Sequence, residues 1–229
     1  QRRNSLPATM CDCASEFVSS LCHSINSSET IPYDEIYHPL GPPKNGTNVA
    51  VLIMYSDEIK SYTTNTATMN AAYAQKNSYD FMVVRTQLFK QDEYQFSHAV
   101  TALPQSKMKY IRDALVTLPE GGWLLWLDAD LVLLRHDVTI ESILAEHIRD
   151  SQTDLLVSLE FNEALPTDED DDEDPSLFQQ PRGVNTGALL LRHSPWTLGM
   201  LERWHLVGYQ HLWGLDELTP WGEGFLEVP

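Results

Sequence analysis

Trp123-Leu-Leu-Trp-Leu-Asp128-Ala-Asp130-Leu-Val-Leu-Leu134 carries an unbroken apolar run straight into two carboxylates spaced i and i+2. Five consecutive apolar residues fit a strand buried on both faces, the kind found in a parallel sheet covered by helices. In an extended chain the period of two puts Asp128 and Asp130 on one side, where both can reach one ion. Oxygen ligands at the carboxyl edge of such a sheet suit Mg²⁺ or Mn²⁺, which take few protein ligands and complete their shell with phosphate oxygens and water. Ala129 between them keeps the backbone open to a bound ribose or phosphate. The plain alternative is a strand end with two solvated acids.

Outward from this stretch, similar apolar runs recur at Val49 to Tyr55, Tyr79 to Val84, Asp154 to Leu159 and Gly187 to Leu191. Segments of helical period separate them. One is predicted from Tyr62 to Gln75, with Tyr62, Met69, Ala72 and Tyr73 on one side. A second, bracketed by Pro104 and Pro119, repeats Met108, Ile111, Leu115 and Leu118. Others cover Ile140 to Ile148 and Pro195 to Val207. Strands alternating with helices predict an α/β fold, a mostly parallel sheet flanked by helices. Residues 1–47 lack steady periodicity and end in the turn chemistry of Gly41-Pro42-Pro43 and Asn45-Gly46. They are expected to form a partly disordered stem or linker before a domain at 48–229.

The chain has 229 residues, enough for one domain with a real core. It holds 15 Lys and Arg against 33 Asp and Glu, a net charge of -18. A field of that sign repels phosphate backbones and anionic membranes, so nucleic acid is excluded as a partner. Seven of the acids stand in a row from Asp168 to Asp174. The run has neither the turn glycine nor the alternating ligands of a calcium loop, and a solvated loop insert is expected over 166–181. No apolar stretch is long enough to cross a bilayer. Cys11, Cys13 and Cys22 lie in the first tenth of the chain, and glycosylation sequons start at Asn26 and Asn45. The combination favours a lumenal stalk over a cytosolic tail.

A second chemistry-bearing segment is Arg182-Gly183-Val184-Asn185-Thr186-Gly187-Ala188-Leu189. Two glycines bracket an amide and a hydroxyl at the opening of a buried strand, groups suited to reading sugar hydroxyls. A simple turn at Asn185 is the bland alternative. The Asp-x-Asp segment also resembles the first motif of haloacid-dehalogenase-type phosphatases, where the first Asp is a nucleophile. That motif closes the first strand of its fold, whereas two βα units are expected before Asp128.

Four segments in order, Tyr73 to Phe81, Gln105 to Ile111, Trp126 to Asp130 and Gly183 to Gly187 with Arg192 and Trp196, resemble the galactosyl- and mannosyltransferase family of the Golgi. That family includes plant-type xyloglucan xylosyltransferases and fungal-type α-mannosyltransferase subunits, and the resemblance covers roughly residues 49–204. It implies a GT-A-like nucleotide-diphospho-sugar fold, a cation bridging the donor diphosphate, and transfer of a hexose or pentose to a glycan with retention of configuration. In that scheme Asp128 and Asp130 hold Mn²⁺ or Mg²⁺. Lys107, at a helix start 21 positions earlier, faces the phosphates. Tyr55 and Ser56 meet the nucleotide base, Ala129 lies on the donor, and Glu160, Asn185, Thr186 and Gly187 belong to the substrate side. No catalytic residue beyond these is assigned.

The resemblance further implies a nucleotide-sugar donor, a glycan or glycoprotein acceptor, complexes with other glycosyltransferases, and a Golgi-lumenal type II protein whose anchor lies outside this sequence. The family continues to an acidic helix and a late metal-binding His. Asp216-Glu217 is a poor match for the former, so the domain is expected to be C-terminally incomplete. His205 and His211 are in-chain candidates for the latter, against packed or exposed histidines. The competing reading is a non-catalytic partner subunit that binds nucleotide-sugar or glycan.

Overall fold

The computed structural model describes residues 31–41, 47–86, 102–148, 150–161 and 181–211. Among them are the strands β1 (Ile36–Tyr37), β2 (Val49–Ser56), β3 (Asp80–Thr86), β4 (Trp123–Leu127), β5 (Leu155–Phe161) and β6 (Pro181–Arg192). The helices are α1 (Lys60–Asn77), α2 (Ala102–Leu115), α3 (Ile140–His147) and α4 (Pro195–His211). The six strands form one sheet in the order β1-β3-β2-β4-β6-β5. Two βα units, β2-α1 and β3-α2, precede β4, as the sequence pattern predicts.

The central strand shows why its sequence is apolar without a break. Val49, Val51, Ile53 and Tyr55 of β2 join Ala67, Ala71 and Tyr73 of α1 and Ile140 of α3 in one core layer. Ala50 and Leu52 point to the other face, where Met108, Ile111 and Leu115 of α2 and Met200, Leu201 and Trp204 of α4 cover them. Helices on both faces bury both side-chain sets, and a half-exposed alternation would have failed on one side.

The parallel part of the sheet is smaller than expected. β2 runs parallel to β3 and to β4. β1 is antiparallel to β3, β6 to β4, and β5 to β6. An apolar run declares burial but not direction, so the reversal of β6 was hidden. It matters for the site, because an antiparallel β6 opens at the edge where β4 closes. Gly187 accordingly accepts a hydrogen bond from the Asp128 N–H at 2.8 Å.

The stem boundary at residue 47 also moves. Residues 31–41 pack on the sheet: Ile31 is buried, and Ile36 and Tyr37 pair with Val84 and Val83. Buried Arg85 anchors the segment, donating to both carboxylate oxygens of Asp57 at 2.8 Å and to the Ile31 carbonyl at 3.3 Å. The Tyr33 ring lies 3.9 Å from its guanidinium carbon. The hydrogen bond from Arg85 holds the Asp57 carboxyl below its ordinary value. A two-residue strand has no periodicity to read. Nor do the helices keep all their expected limits: α2 begins at Ala102, with Pro104 inside its first turn, where a missing N–H costs nothing.

Candidate active site

The carboxyl ends of β2, β3 and β4 surround a cavity of about 260 Å³. Its lining includes Tyr55 and Ser56 from β2, Thr86 from β3, Trp126, Asp128, Ala129 and Asp130 from β4 and its exit, Lys107 from α2 and Tyr62 from α1. All six residues predicted for the donor side, Tyr55, Ser56, Lys107, Asp128, Ala129 and Asp130, meet here. A crevice outside the carboxyl ends of parallel strands is where open α/β sheets bind ligands.

Asp128 is set by its neighbours. Its side chain is 38% exposed, and Oδ1 accepts a hydrogen bond from the Trp126 indole N–H at 3.1 Å. Lys107 Nζ stands 3.9 Å from the same oxygen and donates to Thr186 Oγ1 at 2.9 Å. Lys107 is 3% exposed. A buried ammonium needs charge and acceptors around it, so this lysine is fixed in the site and is no ordinary solvated helix residue. It is the sixth residue of α2 and not at its start. Asp130 is exposed.

Gly187 and Thr186 are placed behind the carboxylate. A Cβ on Gly187 would lie 3.2 Å from Asp128 Oδ2 and 3.0 Å from Asn185 Oδ1, so the glycine is there for space. Thr186 is fully buried and occupied by Lys107. Asn185 is exposed, and its Oδ1 accepts from the Gly187 N–H at 2.9 Å, the local turn foreseen as the bland alternative. Between the pairs Val157↔Leu189 and Ser158↔Asn185, β6 bulges away from β5, which frees residues 186–188 to turn toward Asp128. Glu160 pairs with Gly183 by backbone. Its side chain, and those of His205 and His211 in α4, lie outside the described residues, as do Cys11, Cys13, Cys22, both sequon asparagines, Asp216-Glu217 and the acidic run.

Three contacts from α1 went unforeseen. The Thr66 hydroxyl donates to the Ala129 carbonyl at 2.5 Å. Asn70, fully buried, donates to the Leu131 carbonyl and accepts from the Leu133 N–H, both at 2.9 Å. The Tyr73 hydroxyl donates to the Val138 carbonyl at 2.9 Å. Together they pin the segment that leaves Asp128-Ala129-Asp130. The available signal was polar residues at positions 66, 70 and 73, one helix face, in an element expected to bury apolar ones. That buried face is small and polar, with Thr63, Thr64, Ala67, Asn70 and Ala71, while Tyr62 is exposed and Met69 and Ala72 only half-buried. Thr63 and Thr64 satisfy their hydroxyls on the carbonyls of Ile59 and Lys60.

The two tyrosines of the cavity stay protonated at neutral pH. Burial pushes Tyr55 up to about 12. Tyr62 is raised by burial first, then by the charges of Asp130 and Asp128, which places its ring in the field of both carboxylates. Among the described residues no third His, Cys, Asp or Glu gathers with the pair. Two hard oxygen donors on one cavity, with Gly187 leaving room for one of them, fit Mg²⁺ or Mn²⁺ when phosphate and water supply the other ligands.

The galactosyl transferase GMA12/MNN10 family matches residues 46–218. Two uncharacterized alpha-1,2-galactosyltransferases of Schizosaccharomyces pombe are similar. One is 25% identical over 143 residues, covering 58% of this chain and 36% of that protein. The other is 26% identical over 155 residues, covering 63% and 43%. An alpha-1,2-galactosyltransferase of the same yeast is 23% identical over 154 residues, covering 60% and 40%. The chain therefore spans about two fifths of the length of these curated relatives. It also aligns with the crystal structure of a glycosyltransferase involved in the glycosylation of the major capsid of PBCV-1, at a TM-score of 0.48 and 18% identity, over 72% of this chain and 69% of that one. The family match spans every motif of the cavity, from the strand carrying Tyr55 to the bulge behind Asp128, and the chain belongs to the galactosyl transferase GMA12/MNN10 family.

Proposed function

We propose that this chain holds the donor site of a galactosyltransferase, moving a hexose from a nucleotide-diphospho-sugar to a glycan acceptor with retention of configuration. The observation that carries the reading is the meeting of Lys107, Asp128 and Asp130 on one cavity with Tyr55 and Ser56. Asp128 and Asp130 would hold a divalent cation, Mn²⁺ or Mg²⁺, which offsets the charge of the departing diphosphate. Lys107 adds a fixed ammonium facing the same phosphates, and a charge already in place costs no reorganisation when the bond breaks. Tyr55 and Ser56 lie on the nucleoside side. Thr186 and Gly187 act one step back, holding Lys107 and giving Asp128 its room, while exposed Asn185 is left to the substrate together with Glu160. The family supports a site of action in the Golgi lumen, with a type II anchor supplied outside this sequence, and complexes with other glycosyltransferases belong to the same proposal. No described helix is long and apolar enough to cross a membrane.

The test is binding and transfer with radiolabelled UDP-galactose, with Mn²⁺ or with EDTA, on the native chain and on Asp128→Asn and Asp130→Asn. Donor binding is expected to require Mn²⁺ and to fall at least tenfold in each variant; the thermal midpoint should hold in Asp130→Asn, where the carboxylate is exposed, and fall in Asp128→Asn, which removes the charge beside buried Lys107. Equal affinity in native and variant proteins would refute the metal assignment. Binding without transfer to any glycan acceptor would mark the chain as a donor-binding subunit.

A further inference from the structure

Four residues of α1 lie along the face that follows the exit of β4: Tyr62, Thr66, Asn70 and Tyr73, at spacings of four, four and three. Three of them spend their polar groups on backbone. Thr66 holds the Ala129 carbonyl, Asn70 the Leu131 carbonyl and Leu133 N–H, and Tyr73 the Val138 carbonyl. Tyr62 is the fourth, one turn before Thr66, and it projects past the start of that segment into the cavity. The residue is 44% exposed, and its hydroxyl has no hydrogen-bond partner among the described residues. The clamp at Thr66 fixes the distance from this turn of helix to Ala129, so the phenol keeps a set place against the carboxylate pair.

We propose that the Tyr62 hydroxyl donates a hydrogen bond to the diphosphate of the nucleotide-sugar, an inference that rests on the donor site described above. Asp128 and Asp130 are acceptors, so whatever they recruit through a cation is an anion presenting further acceptors. A neutral phenol at their side supplies the donor that such an anion lacks there. Tyr62 lines the same cavity as Asp128 and Asp130, so its hydroxyl shares the space in which an anion recruited by the pair would sit. A phenol also suits this place better than a lysine would, because it adds no positive charge to compete with the cation for the two carboxylates.

The experiment measures calorimetric affinity with Mn²⁺ for UDP and UDP-galactose, or for GDP and GDP-mannose where the native chain binds that pair more tightly. Native protein is compared with Tyr62→Phe, which removes the hydroxyl and keeps the ring. About tenfold weaker binding of both the free diphosphate and the sugar-bearing donor is expected, a loss typical of one hydrogen bond to a charged group. The unliganded thermal midpoint should stay where it is, since the ring is half exposed. Affinities within twofold of native would overturn the inference, and so would a loss confined to the sugar-bearing donor, which would put the hydroxyl on the sugar. A fall in the unliganded midpoint alongside the loss would assign Tyr62 a structural role instead. Failure of the native chain to bind either pair would remove the donor reading itself, an outcome distinct from any effect of the variant.

Discussion

The Asp128 carboxylate is held from three directions, by the Trp126 indole, by the Lys107 ammonium and by the bare Cα of Gly187. The third is the most sensitive to a small change. In Gly187→Ala the new methyl meets Asp128 Oδ2 at 3.2 Å, Asn185 Oδ1 at 3.0 Å and Leu131 Cδ1 at 3.4 Å. The two oxygens must give by a few tenths of an ångström, which half-buried Asp128 and exposed Asn185 can do, while Leu131 stands at the edge of ordinary contact. Gly187 has no left-handed φ, so the backbone tolerates the change. The expected result is a stability loss within about 1 to 2 kcal/mol by denaturation, together with a roughly tenfold to hundredfold loss of Mn²⁺-dependent donor affinity, the scale on which residues behind metal ligands act. Native affinity in this variant would show that Asp128 is not confined from that side. Asp128 and Asp130 stood out in the sequence because a charge after an apolar run has few structural reasons to be there, whereas Lys107 was singled out only through the family resemblance. Thr186 and Gly187 were read as groups facing sugar hydroxyls, and their true placement depends on which way β6 runs.

At the scale of elements, the five long strands announce themselves by apolar runs that only a doubly covered sheet can bury; four lie within two residues of where the pattern puts them, while β6 starts six residues earlier than its apolar run. Direction is another matter. In a sheet with β4 and β6 parallel, the start of one and the end of the other would stand at opposite edges, and the two sharpest motifs could not meet. Their meeting requires the antiparallel pairing Leu127↔Ala188, which no periodicity reports. Helix α1 was expected, but its inner face was misread for a different reason: beside Ala67, Ala71 and Tyr73 it carries Thr66 and Asn70, a hydrogen-bonding template for the segment that leaves Asp128. Asn70 is the centre of that template. Asn70→Ala leaves the Leu131 carbonyl and Leu133 N–H without their partner, at a cost of about 2 to 4 kcal/mol when both stay shielded. Donor affinity should fall with it, because the loosened segment begins at the carboxylate pair. Urea unfolding gives the first quantity and calorimetry with Mn²⁺ the second. A loss below about 1 kcal/mol would mean that water replaces Asn70 freely and that the helix does not fix the site.

At the scale of the whole molecule, the proposed donor is an anion and the chain carries a net charge of -18. The cavity answers locally, with the buried ammonium of Lys107 and a carboxylate pair suited to a divalent cation. The long-range field still opposes approach. Seven of the acids, Asp168 to Asp174, are contiguous, and exchanging them for a Gly/Ser linker leaves a net charge of -11. Fields reach about 30 Å in 0.01 M salt but only about 8 Å at 0.15 M, so the exchange acts on donor encounter chiefly when salt is low. The association rate of UDP with the Mn²⁺-loaded chain is expected to rise several-fold in 0.01 M salt, and the gain should vanish by 0.5 M. The dissociation rate should not change, because a run that acts only through its field alters the approach of the donor and not its bound contacts. Thermal stability should shift by no more than about 1 kcal/mol, since seven adjacent like charges repel one another and their removal costs no attraction. Stopped-flow measurement across a salt series separates the alternatives. A change in dissociation rate, or a gain that persists at 0.5 M, would place the acidic run in direct contact with the donor rather than in its distant field.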